Sequence, residues 1–260
     1  MYDFHGNKSR YFDIQSWVTE KYIIPFLHLP IGTKLHVLEV GCGEAGVLKA
    51  FLEEGHTGVG IELSSTRVEM ASAFQAQAIN EGRLKIVNAN IYDIDPKVQT
   101  EYQFDLIVLK DVIEHIPDQS RFIAKLKQFL KPGGRVFFAY PPWWMPFGGH
   151  QQICKNGLLS KMPWFHLLPM KIYQKVLAAF GESKETIKEL VEIKETGILC
   201  EQIHHYIQQH GFEVEKETYW LINPIYTKKF SLRPLKALIA IPYLRNIYCT
   251  AHYISFHVKS

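Results

Sequence analysis

The most informative part of the sequence is Val37-Leu38-Glu39-Val40-Gly41-Cys42-Gly43-Glu44-Ala45-Gly46. A run with strand character leads directly into a glycine-rich turn, and a helical pattern follows. Glycine is needed where the backbone must adopt positive φ or approach a ligand closely. Glu62 stands at the end of the next predicted strand, where a carboxylate can accept hydrogen bonds from both hydroxyls of a ribose. The stretch therefore predicts a strand–turn–helix unit that binds a nucleoside.

Five runs with strand character alternate with helical patterns in the first 140 residues. They are 34–40, 57–62, 84–87, 104–109 and 135–140. Such alternation is typical of βαβ units, in which parallel strands form a sheet with helices on both faces. A predicted helix at 198–209 leads to a strand at 212–220, and a last alternating strand follows at about 251–258. We therefore predict an α/β fold: a doubly wound, mostly parallel seven-stranded sheet with strand one central and an antiparallel last strand.

Length and composition predict one domain that spans residues 1–260. The chain is 47% hydrophobic and 21% charged, which is ordinary for a globular protein. Residues 142–196 are rich in aromatic residues and then in charge, so we predict that they form a helical lid inserted after strand five. Gly148-Gly149 is the predicted hinge of this lid.

Charge and cysteine usage exclude several classes of protein. The net charge of +3 is too small to predict nucleic-acid binding, and no apolar run is long enough to cross a membrane. Residues 1–6 lack the layout of a signal peptide, and the four cysteines form no C-x-x-C. We expect a cytoplasmic protein.

The segment 223–245 is basic and is interrupted by prolines. Its mixture of basic and apolar residues would suit a membrane surface. We favour the simpler prediction of a basic helix that flanks the last strand.

The glycine spacing alone is compatible with two cofactors. Gly41, Gly43 and Gly46 match G-x-G-x-x-G with an acid about twenty residues later, the fingerprint of dinucleotide-binding proteins. An NAD-dependent oxidoreductase is therefore one alternative. Glu39 argues against it, because a carboxylate at the strand end would repel a pyrophosphate but suits a ligand that bears an ammonium and a sulfonium.

Five segments in order resemble the class I methyltransferases that use S-adenosylmethionine (SAM), particularly the small-molecule group with a D-V-x-E-H motif. Glu39–Gly43 and Gly60–Ser64 are similar to the first two motifs of that family, and Ala89–Asp93 is similar to its adenine loop. Phe104–His115, which ends in Asp111-Val112-Ile113-Glu114-His115, and Leu130–Gly134 are similar to the later motifs. The resemblance implies SAM as cofactor and a small-molecule acceptor as substrate. A SAM-binding module without catalysis is a further alternative.

The resemblance also implies which residues contact the cofactor. They are Glu39, Gly41, Cys42, Gly43, Glu62, Leu63, Asn90, Ile91 and Lys110. Asn90 stands where the family often has Asp, but an amide can also meet the adenine edge. Lys110 occupies a position that is usually small or polar, where its cation could repel the sulfonium or contact the cofactor's carboxylate.

Histidines after strands four and five are the candidate catalytic groups. His115 follows strand four and His150 follows strand five, and histidine is suited to act as a general base near neutral pH. Asp111, Glu114, His115 and His150 also resemble the E-x-x-E-H and downstream His pattern of families in which a divalent ion orients the acceptor. We favour a base without a metal, and with it transfer of the methyl group to oxygen.

Overall fold

A single sheet runs through the structure, a computed structural model that describes residues 7–259. Residues 1–6, where no signal peptide is expected, lie outside the described residues. Within residues 7–259 eight strands are present: β1 (His36–Val40), β2 (Thr57–Glu62), β3 (Leu84–Asn88), β4 (Phe104–Lys110), β5 (Leu130–Tyr140), β6 (Phe212–Ile222), β7 (Leu235–Lys236) and β8 (Ala251–Val258). Their order in the sheet is β3-β2-β1-β4-β5-β8-β6-β7.

The pairing confirms the predicted mixed sheet. Strands β1 to β5 are parallel with β1 in their middle, and β8 runs antiparallel to both β5 and β6. The difference from the prediction is β7, which pairs with the edge of β6 over only two residues. Two residues are too few to give an alternating pattern in the sequence.

Helices cover both faces of the sheet. They are α1 (Lys8–Val18), α2 (Ile24–Leu27), α3 (Gly46–Glu53), α4 (Ser65–Phe74), α5 (Ala76–Asn80), α6 (Gln119–Leu126), α7 (Met170–Ala179), α8 (Lys184–Thr196), α9 (Cys200–Gln209), α10 (Tyr226–Phe230) and α11 (Arg245–Tyr248). A π-helical turn at Thr19–Ile23 joins α1 to α2.

The core has two main layers, one on each face. On one face α6 and α9 pack against β4, β5 and β8, with Phe122, Leu126, Ile203 and Ile207 buried. On the other face α2 and α3 pack against β1 and its neighbours, with Phe26, Leu48 and Phe51 buried. The parallel strands are therefore covered on both sides, as their nearly continuous apolar sequence requires.

Residues 142–196 form three short 3₁₀ turns followed by α7 and α8. They have a small core of their own, which includes Leu159, Phe165, Tyr173 and Leu190. The end of α8 is tied to the turn after β4, where the Thr196 hydroxyl donates to the Glu114 carbonyl at 2.6 Å. This segment is therefore anchored beside the carboxyl end of β4.

The basic helix predicted for 223–245 is wrong. The segment contains only α10, β7 and the start of α11, separated by irregular chain. Pro234 and Pro242 lie in the irregular parts, and proline breaks a helix because it lacks the N–H donor and its ring clashes with the preceding turn.

Candidate functional site

The glycine loop lies where the strand order reverses, between β1 and β4. Gly41 and Gly43 have φ of +67° and +53°, a conformation that favours glycine. A β-carbon on Gly41 would lie 2.9 Å from Cγ2 of Val112, whereas one on Gly43 would meet nothing closer than 3.9 Å, at Arg67. The loop after β1 therefore touches the loop after β4 and leaves open space above Gly43. Parallel sheets bind ligands in this crevice.

Gly46 has a different role. Its φ is not positive, but a β-carbon there would lie 2.5 Å from the carbonyl oxygen of Phe12 in α1. The third glycine of the fingerprint is thus required for the packing of α1 on α3. It is not explained by a ligand.

Glu39 is buried at the end of β1 with one carboxylate oxygen, Oε2, lacking a hydrogen-bond partner. Burial raises the pKa of Glu39 well above its usual range, opposed by a hydrogen bond from the Leu48 backbone and by the charge of Lys110. An uncompensated buried carboxyl is costly, so this group is suited to a cationic ligand.

Glu62 is held in a fixed orientation at the end of β2. Its two carboxylate oxygens accept hydrogen bonds from the backbone N–H groups of Gly43 and Ser64, both at 2.9 Å. Leu63, the next residue, is 70% exposed. A buried acid and an exposed apolar side chain therefore lie side by side at the crevice.

The remaining predicted cofactor residues differ in how they face the crevice. The Asn90 side-chain oxygen accepts from the Tyr92 N–H at 3.1 Å and caps a 3₁₀ turn that contains buried Ile91. Cys42 is buried in the core beside Gly60, where a β-carbon would lie 2.7 Å from its sulfur. The Cys42 side chain therefore packs inside, and only its backbone belongs to the loop.

Lys110 and Asp111 form an ion pair at the end of β4, with the Lys110 side chain 2% exposed. Asp111 has φ of +55°, which is strained for a residue with a β-carbon and is often found at functional sites. Desolvation raises the pKa of Asp111, but the Lys110 cation outweighs it and holds this pKa below its usual value. Lys110 is therefore neutralised by its neighbour in sequence.

Glu114, His115 and His150 converge beside this pair. One potential ligand atom from each lies within 4.8 Å of the others, and the two imidazole rings are 5.0 Å apart. Both Glu114 carboxyl oxygens are buried without hydrogen-bond partners, and burial, with the charge of Asp111, raises the pKa of Glu114 well above its usual range. Desolvation lowers the pKa of His115, so its ring is neutral near neutral pH. The structure thus brings the two predicted histidines together.

Three residues near the crevice are absent from the sequence prediction. They are Tyr11 of α1, Arg67 of α4 and Lys229 of α10, which interact electrostatically with Asp111 or His115. Burial lowers the pKa of Lys229 to about 8, although the charge of Asp111 opposes this. The i, i+4 spacing of Ile14 and Val18 is typical of a helix, and it was the sequence signal that could have predicted α1, which carries Tyr11. No local pattern brings Lys229 to the site.

The predicted hinge at Gly148-Gly149 is instead closely packed. β-carbons there would lie 2.3 Å from the Trp143 carbonyl oxygen and 2.2 Å from Cβ of His166. Neither glycine has positive φ. Glycine is therefore required at these two positions because Trp143 and His166 lie too close for a side chain.

Comparison with known proteins agrees with this architecture. The sequence model of the family described as "Methyltransferase domain" matches residues 17–179. The ubiquinone biosynthesis O-methyltransferase of Coxiella burnetii (strain Dugway 5J108-111) is 30% identical over 105 residues, which are 40% of this chain and 42% of that protein. The match thus spans less than half of the curated relative.

Solved structures share the fold at low sequence identity. Magnesium protoporphyrin IX methyltransferase from Synechocystis PCC 6803 with bound SAM has a TM-score of 0.56 at 12% identity, covering 100% of this chain and 86% of that one. A protein from Pyrococcus horikoshii OT3 has a TM-score of 0.56 at 13% identity, covering 99% and 94%. Because the family model covers more than half of the sequence, the chain belongs to the methyltransferase domain family.

Proposed function

We propose that this chain transfers a methyl group from SAM to an oxygen atom of a small or medium-sized acceptor. Membership of a methyltransferase family supports methyl transfer over the NAD-dependent alternative. The convergence of Glu114, His115 and His150 at the end of β4 carries the proposal, because it places two imidazoles that can accept a proton beside the crevice. The printed name of the Coxiella relative supports oxygen as the methylated atom.

The residues of the crevice fit SAM. The unpartnered oxygen of buried Glu39 is suited to the ammonium of the methionine part, and the open space above Gly43 admits a ligand. Glu62 is oriented by two backbone N–H groups. Its remaining lone pairs would accept hydrogen bonds from the ribose hydroxyls. Leu63, Asn90 and Ile91 would border the adenine. When bound, SAM supplies an activated methyl group on its sulfonium.

The chain's own contribution is to orient the acceptor and accept its proton. His115 has a neutral ring in an exposed position, which suits a general base that takes the proton from an acceptor hydroxyl. His150 lies against it and would hold the acceptor oxygen or share the proton. We assign the base to one of these histidines and a positioning role to the other.

A divalent metal is a second candidate for the same three residues. Both Glu114 oxygens lack partners in a buried position, and a carboxylate with two imidazoles is a ligand set for Zn²⁺ or Mn²⁺. Asp111 is paired with Lys110 and is not needed for this set. Such an ion would orient the acceptor oxygen and favour its ionised form.

Transfer of radiolabelled methyl from SAM to a panel of small phenols and hydroxy acids tests the proposal. We expect His115→Ala or His150→Ala to reduce turnover by about 10²-fold or more, as loss of a general base does. His205→Ala, an exposed histidine on α9, is the matched control.

EDTA separates the two candidates. Activity that resists EDTA but needs the histidines supports the base, whereas activity lost to EDTA and restored by Mn²⁺ supports the ion. SAM binding without transfer to any acceptor would favour a non-catalytic module. Full turnover in both histidine variants would contradict both assignments.

A further inference from the structure

The segment 230–247 carries large apolar side chains on its outer side and small ones on its inner side. Ala237 and Ala240 pack against the small cluster of Cys200, Tyr219 and Cys249. Leu238 and Ile239, between them, are 98% and 70% exposed. We call the exposed set the C-terminal ridge, which consists of Leu235, Leu238, Ile239, Ile241, Tyr243 and Leu244.

The ridge is held in place by hydrogen bonds. The Ala237 N–H donates to the Tyr219 carbonyl at 2.8 Å, and the Tyr248 hydroxyl donates to the Ile239 carbonyl at 2.7 Å. The Tyr243 N–H donates to a carboxylate oxygen of Glu201 at 2.8 Å. The chain is thus held by hydrogen bonds with its large apolar side chains exposed. Large apolar side chains that are exposed together in one ordered segment mark an interaction site.

Charge identifies the chemistry of the partner. The segment 223–247 contains five basic residues and no acidic residue: Lys228, Lys229, Arg233, Lys236 and Arg245. Arg245 is neutralised by Glu201 at 2.9 Å. Lys228, Arg233 and Lys236 are exposed; the first two precede the ridge in the chain, and Lys236 stands within it. The partner must therefore accept protruding apolar side chains and carry negative charge around them.

We propose that the C-terminal ridge docks onto the surface of an anionic lipid bilayer. A side chain that is 98% exposed, such as Leu238, protrudes from the molecule and can enter a soft interface without a preformed pocket. Basic residues beside it then meet the lipid headgroups. No helix among the described residues is long and apolar enough to cross a membrane.

Aromatic side chains extend the ridge toward residues 142–196. A groove of about 360 Å³ is lined by Trp144, Trp164, Leu167 and Ile247. Tryptophan and tyrosine favour the headgroup region of a bilayer, so this groove and Tyr243 fit the same surface. Lys229 of α10, six positions before the ridge in the chain, interacts electrostatically with Asp111.

Co-sedimentation with vesicles tests the proposal without requiring any methyl transfer. We expect the chain to bind vesicles of phosphatidylcholine with about 30% phosphatidylglycerol and not vesicles of phosphatidylcholine alone, with binding that weakens as salt is raised. The Leu238→Asp/Ile239→Asp double variant should bind at least about tenfold more weakly, since it replaces two inserted side chains by charges. Arg233→Glu/Lys236→Glu should lose the preference for anionic lipid.

Ile31→Asp is the matched control, because Ile31 is fully exposed in the turn before β1, and β4, β5 and β8 lie between β1 and the β6–β7 edge of the sheet. It should bind vesicles as the unaltered chain does, and thermal unfolding of every variant should match that chain. Vesicle binding that is equal in the ridge double variant would overturn the proposal. The proposal would also be overturned if the chain did not bind anionic vesicles and instead self-associated through the ridge in sedimentation velocity, because the partner would then be a protein.

Discussion

Replacing Gly41 by alanine tests whether the glycine loop and the loop after β4 are built against each other. At φ of +67° an alanine costs about 1–2 kcal/mol of unfolding free energy. The new β-carbon would also lie 2.9 Å from Val112, whose β-branched side chain is stiff, and such overpacking costs about 1–3 kcal/mol more. We therefore expect Gly41→Ala to lose about 2–5 kcal/mol.

Gly82 provides the matched control. Its φ is +69° and a β-carbon there would meet nothing within 4 Å, so Gly82→Ala should lose only the backbone contribution of about 1–2 kcal/mol. It should leave SAM affinity unchanged. Gly41→Ala should weaken SAM binding, because the clash with Val112 displaces the glycine loop over which the cofactor is proposed to lie.

Urea unfolding and calorimetric titration with SAM measure the two effects. In a double-mutant cycle, Gly41→Ala should cost less stability when Val112 is also replaced by alanine, because the clashing γ-carbons are then absent. The remaining cost of Gly41→Ala should be the backbone contribution alone. If Gly41→Ala and Gly82→Ala lose equal stability and bind SAM equally well, the two loops are not in the contact described.

Three further predictions concern titration and close packing. The pKa of Glu39 is raised in the free protein, and a bound ammonium would favour its ionised form, so SAM affinity should rise with pH and protons should be released on binding. In calorimetric titrations at several pH values, the SAM affinity of Glu39→Gln should not change with pH. A pH dependence in Glu39→Gln equal to that of the unaltered chain would contradict this prediction. Burial lowers the pKa of His166 from 6.5 to about 4. As the pH falls from about 6.5 to about 4, this histidine is protonated in the unfolded chain but not in the folded one, so stability falls over that range. At about pH 5 this should cost about 2 kcal/mol, and urea unfolding of His166→Gln should lack that component. Gly197→Ala, whose β-carbon would lie 2.3 Å from the Trp143 ring, should lose about 1–3 kcal/mol in urea unfolding, whereas Gly157→Ala, with open space, should lose little.

The sheet could be predicted from sequence because its signals are local. The predicted bounds of β2 agree with the structure at both ends, since apolar residues and flanking turns mark them. The parallel arrangement of the first five strands with β1 in their middle follows from the βαβ alternation and the resemblance. The two-residue strand β7 has no such local signal, because it is a strand only through its pairing with β6.

The site was harder to predict because its roles depend on contacts between distant residues. Gly46 matches the fingerprint, yet its requirement comes from Phe12, 34 positions earlier in the chain. Asp111, which pairs with Lys110, has a φ of +55°, and no sequence pattern predicts that conformation. Lys229 reaches the site from the far end of the chain through α10.

The proposed site can be tested by a crystal structure of the chain with bound S-adenosylhomocysteine. We expect the ribose hydroxyls to contact Glu62, the amino group to face Glu39, and the sulfur to face the space beside His115 and His150. A ligand bound elsewhere, or one whose sulfur faces away from these histidines, would contradict the proposed site.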